Sequence, residues 1–304
     1  VAIAHFINDF LQTLLPALYP LIKDQFDLTF AQVGLLTTMS QLTGSFLQPA
    51  VGFYTDKHPK PWLLPASMIF SCIGIVMIAT ADSYLWLILA AAMIGLGSSA
   101  FHPEGSRMAR LASGGRYGFA QSLFQVGGNA GSAFAPLIAA GIIIHRGLWS
   151  LALFVVVGLI GYLILHYVTR WLLGSNAQQM AKKSLAPSPY SRQQIIRYIS
   201  ILALLIFSKF VYMTCLTNYY TFYLMDKFDV SVGFSQLALF IFMGAVAVGT
   251  FFGGPLGDKY GRKLIIWVSI LGVAPFTIGL PYANLWMTLV LSVIVGLILS
   301  SAFA

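Results

Sequence analysis

Ten apolar runs, each 18 to 28 residues long and separated by short polar breaks, decide what this 304-residue chain can fold into. A hydrocarbon layer about 30 Å thick takes ~20 apolar helical residues to cross. Helix is the required form, because lipid offers a main-chain amide no partner outside its own segment. A spanning β-barrel would instead show short segments of alternating polarity. The runs are Val1–Ile22, Ala31–Tyr54, Trp62–Ala81, Tyr84–Phe101, Tyr117–Ile144, Leu148–Val168, Tyr198–Leu224, Val232–Leu256, Leu264–Tyr282 and Leu285–Ala304, numbered here as spans 1 to 10. With 58% hydrophobic and 9% charged residues, the chain carries more apolar surface than a soluble core needs. Span 1 has neither a basic leader nor a small-residue cleavage site, so it reads as a true span and not a signal peptide. The chain starts at Val1 inside one run and stops at Ala304 inside another, and so reads as a fragment. Cys72 and Cys215 both fall within spans and suggest no disulfide framework.

Lysine and arginine set the orientation. If the break after span 2 is cytoplasmic, thirteen basic residues lie inside: Lys57, Lys60, Arg107, Arg110, Arg116, Arg170, Lys182, Lys183, Arg192, Arg197, Lys259, Arg262 and Lys263. Three lie outside, Lys23, Arg146 and Lys227, and Lys209 falls within a span. That asymmetry follows the positive-inside rule. The formal charge of +8 therefore reports topology. Nucleic-acid binding would need basic residues gathered on one face.

The polar stretch 171–197, with Pro187 and Pro189, reads as a cytoplasmic linker between an N-terminal bundle, 1–170, and a C-terminal bundle, 198–304, that contributes spans 7 to 10. Span 8 is followed by Gly254-Pro255-Leu256-Gly257-Asp258-Lys259-Tyr260-Gly261-Arg262-Lys263. Span 2 is followed by a degraded copy, which keeps Gly52, Asp56, Lys57 and Lys60 but has Pro59 and Pro61. Parallel repeats joined by an inner linker are the pattern of a secondary transporter. Glycines permit a tight turn, and an aspartate suits a helix N-terminus.

The second decapeptide resembles the loop signature of the major facilitator family at every fixed position. That resemblance implies an all-α membrane fold of two six-helix bundles, the second incomplete here. It also implies a conformational latch built from Asp56, Lys57, Gly254, Gly257, Asp258, Lys259, Gly261, Arg262 and Lys263, with Asp258 set against span 5 and the partner of Asp56 on a helix beyond this chain. Gly127, Gly131 and Pro136 in span 5 resemble the family's antiporter signature, with Ala135 in place of its second glycine. Small residues four apart also serve ordinary close helix packing, and proline can bend a helix, so hinge and packing both stand open. Span 4 lacks the basic residue of drug antiporters over Tyr84–Gly97, a departure from their proton route. The segments His5–Asp9, Phe101–Arg107, Gln121–Asn129, Ser208–Phe210 and Tyr219–Leu224 resemble the family's antibiotic exporters of bacterial inner membranes. They imply efflux of a small phosphonate driven by inward proton flow.

A charge at mid-membrane costs about 2.5–3.5 kcal/mol on insertion scales, so it needs a partner, a wet cavity or a proton. Asp9 is either a proton carrier or, with Asn8, a structural hydrogen-bonding pair. Lys209 shares a helical face with Tyr212, Leu216, Tyr219, Tyr220 and Tyr223, a cation followed by phenolic donors that suits an oxyanion. The alternative is a salt bridge from Lys209 to Asp9, with Tyr220 and Tyr223 in an interfacial belt. Glu104 either pairs with Arg107 at the membrane edge or, if span 4 continues through Pro103, relays protons with His102, whose type titrates near pH ~6.5. Gln121, Gln125, Asn129 and Ser132 form a polar stripe on span 5, read as cavity lining. Thr37, Gln41, Ser45 and Gln48 form one on span 2, read as packing.

Proton-coupling candidates are thus Asp9, Glu104 and His102, and substrate candidates are Lys209, Tyr212, Tyr219, Asn8, Gln125 and Asn129. The expected partners are protons, a small organic anion and the lipid bilayer, with no nucleic acid. The expected form is a multi-pass monomer of a bacterial inner membrane, with linker and both decapeptides cytoplasmic. An importer or exchanger of an organic anion is the alternative direction. No metal-ligand set, nucleophile elbow or phosphate loop is present in the sequence, so neither cofactor nor enzymatic activity is expected.

Overall fold

A computed structural model describes residues 1–58, 60–115, 117–174 and 190–302, and side chains at 117, 118, 254, 255 and 258 also fall outside the description. Every regular element among the described residues is helical. Six stretches are long and apolar enough to cross a membrane: Tyr84–Leu111, Phe119–Arg146, Leu148–Gly174, Arg192–Phe228, Val232–Gly253 and Arg262–Tyr282. Spans 3 and 10 are the shorter helices Leu63–Ala79 and Leu285–Ser300.

Spans 1, 2 and 9 are interrupted, each where the sequence weakens the ladder. Span 1 is Ala2–Ala17 followed by Tyr19–Gln25, broken at Leu18 between Pro16 and Pro20. Span 2 is Phe30–Gln41, a π-helical turn Leu42–Phe46, and Gln48–Lys57. Span 9 is Arg262–Leu271 and Ala274–Gly279, parted beside Gly272 and Pro275. Proline removes a donor and crowds the preceding carbonyl, which accounts for the breaks in spans 1 and 9.

Several boundaries differ from those the apolar pattern predicts. Span 4 does not stop at Phe101 but continues to Leu111 with Pro103 inside it. Apolarity marks where lipid ends, and the helix goes on because its polar extension finds partners of its own. Span 6 reaches Gly174 and span 7 begins at Arg192, so both helices enter the stretch 171–197. Lys182, Lys183, Pro187 and Pro189 lie outside the described residues. Span 8 runs to Tyr260, so most of the second decapeptide is helix and the turn is made at Gly261, with φ 93°. Asp56 sits likewise in the last turn of Gln48–Lys57. Neither aspartate therefore caps a following helix. The N-cap of Arg262–Leu271 is Gly261.

The duplication shows in the backbone itself. Asp27 and Asp229, the two non-glycine residues of positive φ among those described, have φ 50° and 51°. Both lie in a short turn, Phe26-Asp27-Leu28-Thr29 and Phe228-Asp229-Val230-Ser231, whose last residue caps the next helix by accepting from Gln32 N or Phe234 N. Aspartate tolerates the left-handed region better than most side chains. The offset of 202 residues (229 − 27) equals that between Asp56 and Asp258.

Two apolar clusters result. Spans 1 to 6 supply one, around Leu11, Leu14, Leu36, Ile75 and Ile94, and spans 7 to 10 supply the other, around Tyr220, Leu239, Phe242 and Val295, joined by Ala133 of span 5. Span 5 packs along span 1 and also along span 8. Glycine sets the first of these contacts, because a Cβ on Gly127 or Gly131 would collide with the main chain of Ala2 or Phe6. Spans 2 and 4 likewise meet at Gly44 and Gly95. Away from the decapeptides, at the far end of the bundle, the two groups touch again. Phe30 meets Phe222 edge to face at 5.2 Å, and Gln236 Nε2 donates to the Ala17 carbonyl that the break in span 1 leaves free.

Overpacking a tight contact costs about 1–3 kcal/mol, so Gly131→Val is expected to lower the thermal midpoint of the full-length protein by at least several degrees. Gly141→Ala, where a Cβ meets open space, is expected to leave it unchanged. Fluorescence-monitored melting of the purified variants checks both.

Candidate functional site

Span 1 places His5 and Asp9 one helical turn apart, and their spacing turns both side chains toward spans 4 and 5. His5 Nε2 lies 3.2 Å from Asp9 Oδ2, and His102 Nε2, from span 4, lies 3.5 Å from Asp9 Oδ1. Asn8 Nδ2 donates to Asp9 Oδ1 at 3.0 Å. The outer nitrogens of both rings are tied to main chain. His5 Nδ1 is 2.7 Å from the Phe124 carbonyl and His102 Nδ1 is 3.0 Å from the Ser98 carbonyl. His5 is sandwiched besides, stacked at 3.9 Å on Phe124 and edge-on to His102 at 5.1 Å. Gly128 makes room for this, since a Cβ there would press on Asp9 Oδ2 and His5 Nε2. The His5 side chain is 2% exposed, that of Asp9 17% and that of His102 27%, so the cluster is reached from the His102 side. It is the one His/Asp group among the described residues whose donor atoms converge, within 4.8 Å. Three donors fall one short of the tetrahedral set of a structural zinc site.

His5, absent from the residues expected to couple protons, is the closest ionisable neighbour of Asp9. The signal was present: a histidine and an aspartate at i and i+4 share one helix face. Glu104 is not part of the cluster. Span 4 does continue through Pro103, as a relay requires, but Glu104 Oε2 accepts from Arg107 Nη2 at 2.6 Å. Arg107 Nη1 also donates to the Thr55 carbonyl at 3.1 Å and so holds the last turn of span 2 against span 4.

Lys209 does not meet Asp9. It sits near the middle of the 37-residue span 7, buried, with Nζ donating to Ser269 Oγ of span 9 at 3.1 Å. A cavity of about 240 Å³ lies beside it, lined by Ser208, Tyr212, Val273, Thr277 and Leu299. Tyr219, with Gly34, Thr37, Thr38, Cys215 and Asn218, lines a separate cavity of about 400 Å³ between spans 7 and 2. Almost two turns separate 212 from 219, so the two tyrosines share a helix face, but at different heights they open onto different cavities. Tyr220 is no interfacial belt residue either, being buried with its hydroxyl donated to Ser292 Oγ at 2.9 Å. Tyr223 donates to the Leu280 carbonyl and accepts from Lys227.

Asn8 is buried against Asp9. The polar stripe of span 5 is spent on helix contacts: Gln121 accepts from Ser106, Ser132 from Thr13, and Asn129 Nδ2 donates to Thr250 Oγ1 of span 8 at 2.9 Å. Gln125 is half-buried in the same helix. On span 2, Thr37 pairs with Tyr19 at 2.7 Å, whereas Gln41 and Ser45 are exposed and bond to each other. Lys57 Nζ lies over the Phe53 ring at 4.1 Å and Lys259 Nζ over Tyr260 at 5.1 Å. Gly257 has only ordinary neighbours in Arg262 and Ile265, and Lys263 is exposed. Gly254 and Asp258 lie in helical backbone, but the latch contact of Asp258 lies outside the described residues.

A family model described as Major Facilitator Superfamily matches residues 1–304. The chain is 51% identical over 305 residues to the fosmidomycin resistance protein of Escherichia coli (strain K12), covering 100% of this chain and 75% of that protein. It is 39% identical to an uncharacterized MFS-type transporter, YfnC, of Bacillus subtilis (strain 168), with coverage of 100% and 75%. Among solved structures, a bacterial homolog of the human lysosomal transporter Spinster, inward-facing and occupied, superposes with TM-score 0.74 at 20% identity, over 99% of this chain and 70% of that one.

Removing one partner of a buried ion pair costs about 3–5 kcal/mol, because the other charge is left unmatched. Arg107→Ala is accordingly expected to destabilise the protein severely, and Glu104→Gln added to it to restore part of the loss. Denaturation of the two variants measures the difference.

Proposed function

The chain belongs to the major facilitator superfamily, and on that premise we propose that it exports a small anionic antibiotic of the phosphonate type, fosmidomycin being the named example, in exchange for protons. The observation that carries the substrate class is the 51% identity, over the whole chain, to a protein named for fosmidomycin resistance. Secondary transport is the activity, with no chemical conversion of the cargo and no cofactor.

In this reading the Asp9 cluster couples and Lys209 binds. Asp9 is an acid within the bilayer that faces two imidazoles and, among the described residues, no fixed cation, which suits a group that must accept and release protons. Lys209 is a buried ammonium beside a cavity with Tyr212, Ser269 and Thr277 around it, which suits an oxyanion held by charge-assisted hydrogen bonds. The two lie in different halves of the chain, 1–170 and 198–304. Relative movement of two such bundles would expose proton site and anion site to either side in turn. In the same reading, the excess of basic residues supports a cytoplasmic linker and cytoplasmic decapeptides in a bacterial inner-membrane monomer. The contacts at the far end then close the outer side.

A carboxylate metabolite would satisfy Lys209 as well as a phosphonate does, which keeps uptake or exchange of an organic anion as the second reading. Counterflow and pH-jump transport in liposomes holding the full-length protein separate the two, with fosmidomycin and several unrelated small anions compared. Export requires uptake into everted vesicles when protons run outward.

Asp9→Asn is expected to abolish proton-driven transport while the protein still inserts, and undiminished pumping by that variant removes Asp9 from the mechanism. Lys209→Met deletes charge-assisted bonds worth about 1.5–3 kcal/mol, so the half-saturating anion concentration is expected to rise roughly ten- to hundredfold. Concentration-dependent counterflow reads that shift.

A further inference from the structure

The bonds around Asp9 fix where protons have to sit. A carbonyl oxygen only accepts, so His5 Nδ1, held on the Phe124 carbonyl, must carry hydrogen. His102 Nδ1 lies 3.0 Å from the Ser98 carbonyl and 3.1 Å from Ser98 Oγ, and the carbonyl contact calls for hydrogen there as well, although the hydroxyl can either accept it or donate. In a neutral ring Nε2 is then a bare acceptor. Each Nε2 faces one oxygen of Asp9, at 3.2 Å for His5 and 3.5 Å for His102, and an ionised carboxylate is acceptor only. Two facing lone pairs repel, whereas a proton between them makes a charge-assisted hydrogen bond. Among the described residues, the buried Nε2 of His5 has no hydrogen-bonding neighbour other than Asp9.

Among the described residues, the neighbouring ionisable groups are engaged elsewhere. Span 5 presents Gly128 and the Phe124 carbonyl to the cluster. On span 4, Glu104 is already matched by Arg107. Tyr162 and His166 of span 6 stack on each other, Cys72 of span 3 points to the Val155 carbonyl, and Lys209 of span 7 is turned to span 9. Asn8 contributes a neutral donor.

We propose that the cluster loads two protons per transport cycle, one between Asp9 and each imidazole, and that His5 is a coupling residue equal in weight to His102. The inference rests on the proton-coupled reading above. Each proton arrives from water, adds to Nε2, and returns to water on the opposite side, so only N–H bonds form and break. Loading carries the cluster from one net negative charge, the carboxylate with two neutral rings, to one net positive charge, the carboxylate with two imidazoliums. The fixed Nδ1–H bonds keep both rings aimed at Asp9 in either state. That leaves His5, although sealed from solvent, able to exchange its proton through Asp9 and the more exposed His102.

The test is the proton-to-substrate ratio of the full-length protein in proteoliposomes, located from the pH gradient and voltage at which net fosmidomycin flux reverses. The unaltered protein is expected to show two protons per anion. His5→Gln and His102→Gln each set a permanent uncharged N–H against Asp9, and each is expected to lower the ratio to one. A ratio of one in the unaltered protein, or an unchanged ratio in His5→Gln, overturns this inference and leaves proton coupling standing. Flux indifferent to the pH gradient overturns the coupled reading itself. Should His5→Gln fail to fold, the ratio of the unaltered protein together with that of His102→Gln decides.

Discussion

Main-chain amides in hydrocarbon can bond only to their own helix or to a side chain that comes to meet them, and two irregular points in this fold are answered in that way. The break at Leu18 frees the Ala17 carbonyl, and Gln236 reaches across from span 8 to take it. The end of span 2 gives the Thr55 carbonyl to Arg107. Polar residues within the spans are thus explained first by backbone demand, and those left over are the candidates for transport chemistry.

Close helix approach then decides which leftovers meet. Gly127, Gly128 and Gly131 let span 5 lie on span 1 with almost nothing between them, which brings the Phe124 carbonyl to His5 and encloses Asp9. A larger residue at 128 would separate the acid from its imidazole before it altered anything else. The antiporter-like signature in span 5 is, in physical terms, the packing surface on which the ionisable cluster is built. Spans 8 and 10 approach in the same manner at Gly249 and Gly253, but the polar side chains there are hydroxyls, Thr250 and Ser300, and carry no charge.

The all-helical membrane fold is legible because the length of an apolar run is imposed by lipid thickness and needs no tertiary knowledge. Helix ends were less so. Tyr84 was placed correctly by the break before it, whereas Leu111 was not, since partners such as Thr55 for Arg107 come from elsewhere in the chain. The decapeptide repeat is legible in the sequence, whereas the turn at 26–29 and 228–231, Phe-Asp followed by an aliphatic and then a hydroxyl residue, stands out through its backbone angle. Asp9, His102 and Lys209 stood out as charges in lipid. Which way each one points did not, and that is why Lys209 and Asp9 could be imagined as a pair when the fold holds them in separate clusters.

Gln236 is wholly buried and donates across the far end, yet its own Oε1 finds no partner. A hydrogen bond between neutral groups contributes a net ~1 kcal/mol, and an unsatisfied buried acceptor costs ~1–3 kcal/mol. This one link between the two halves therefore adds little to holding them together, because water at its rupture would recover about what the contact contributes.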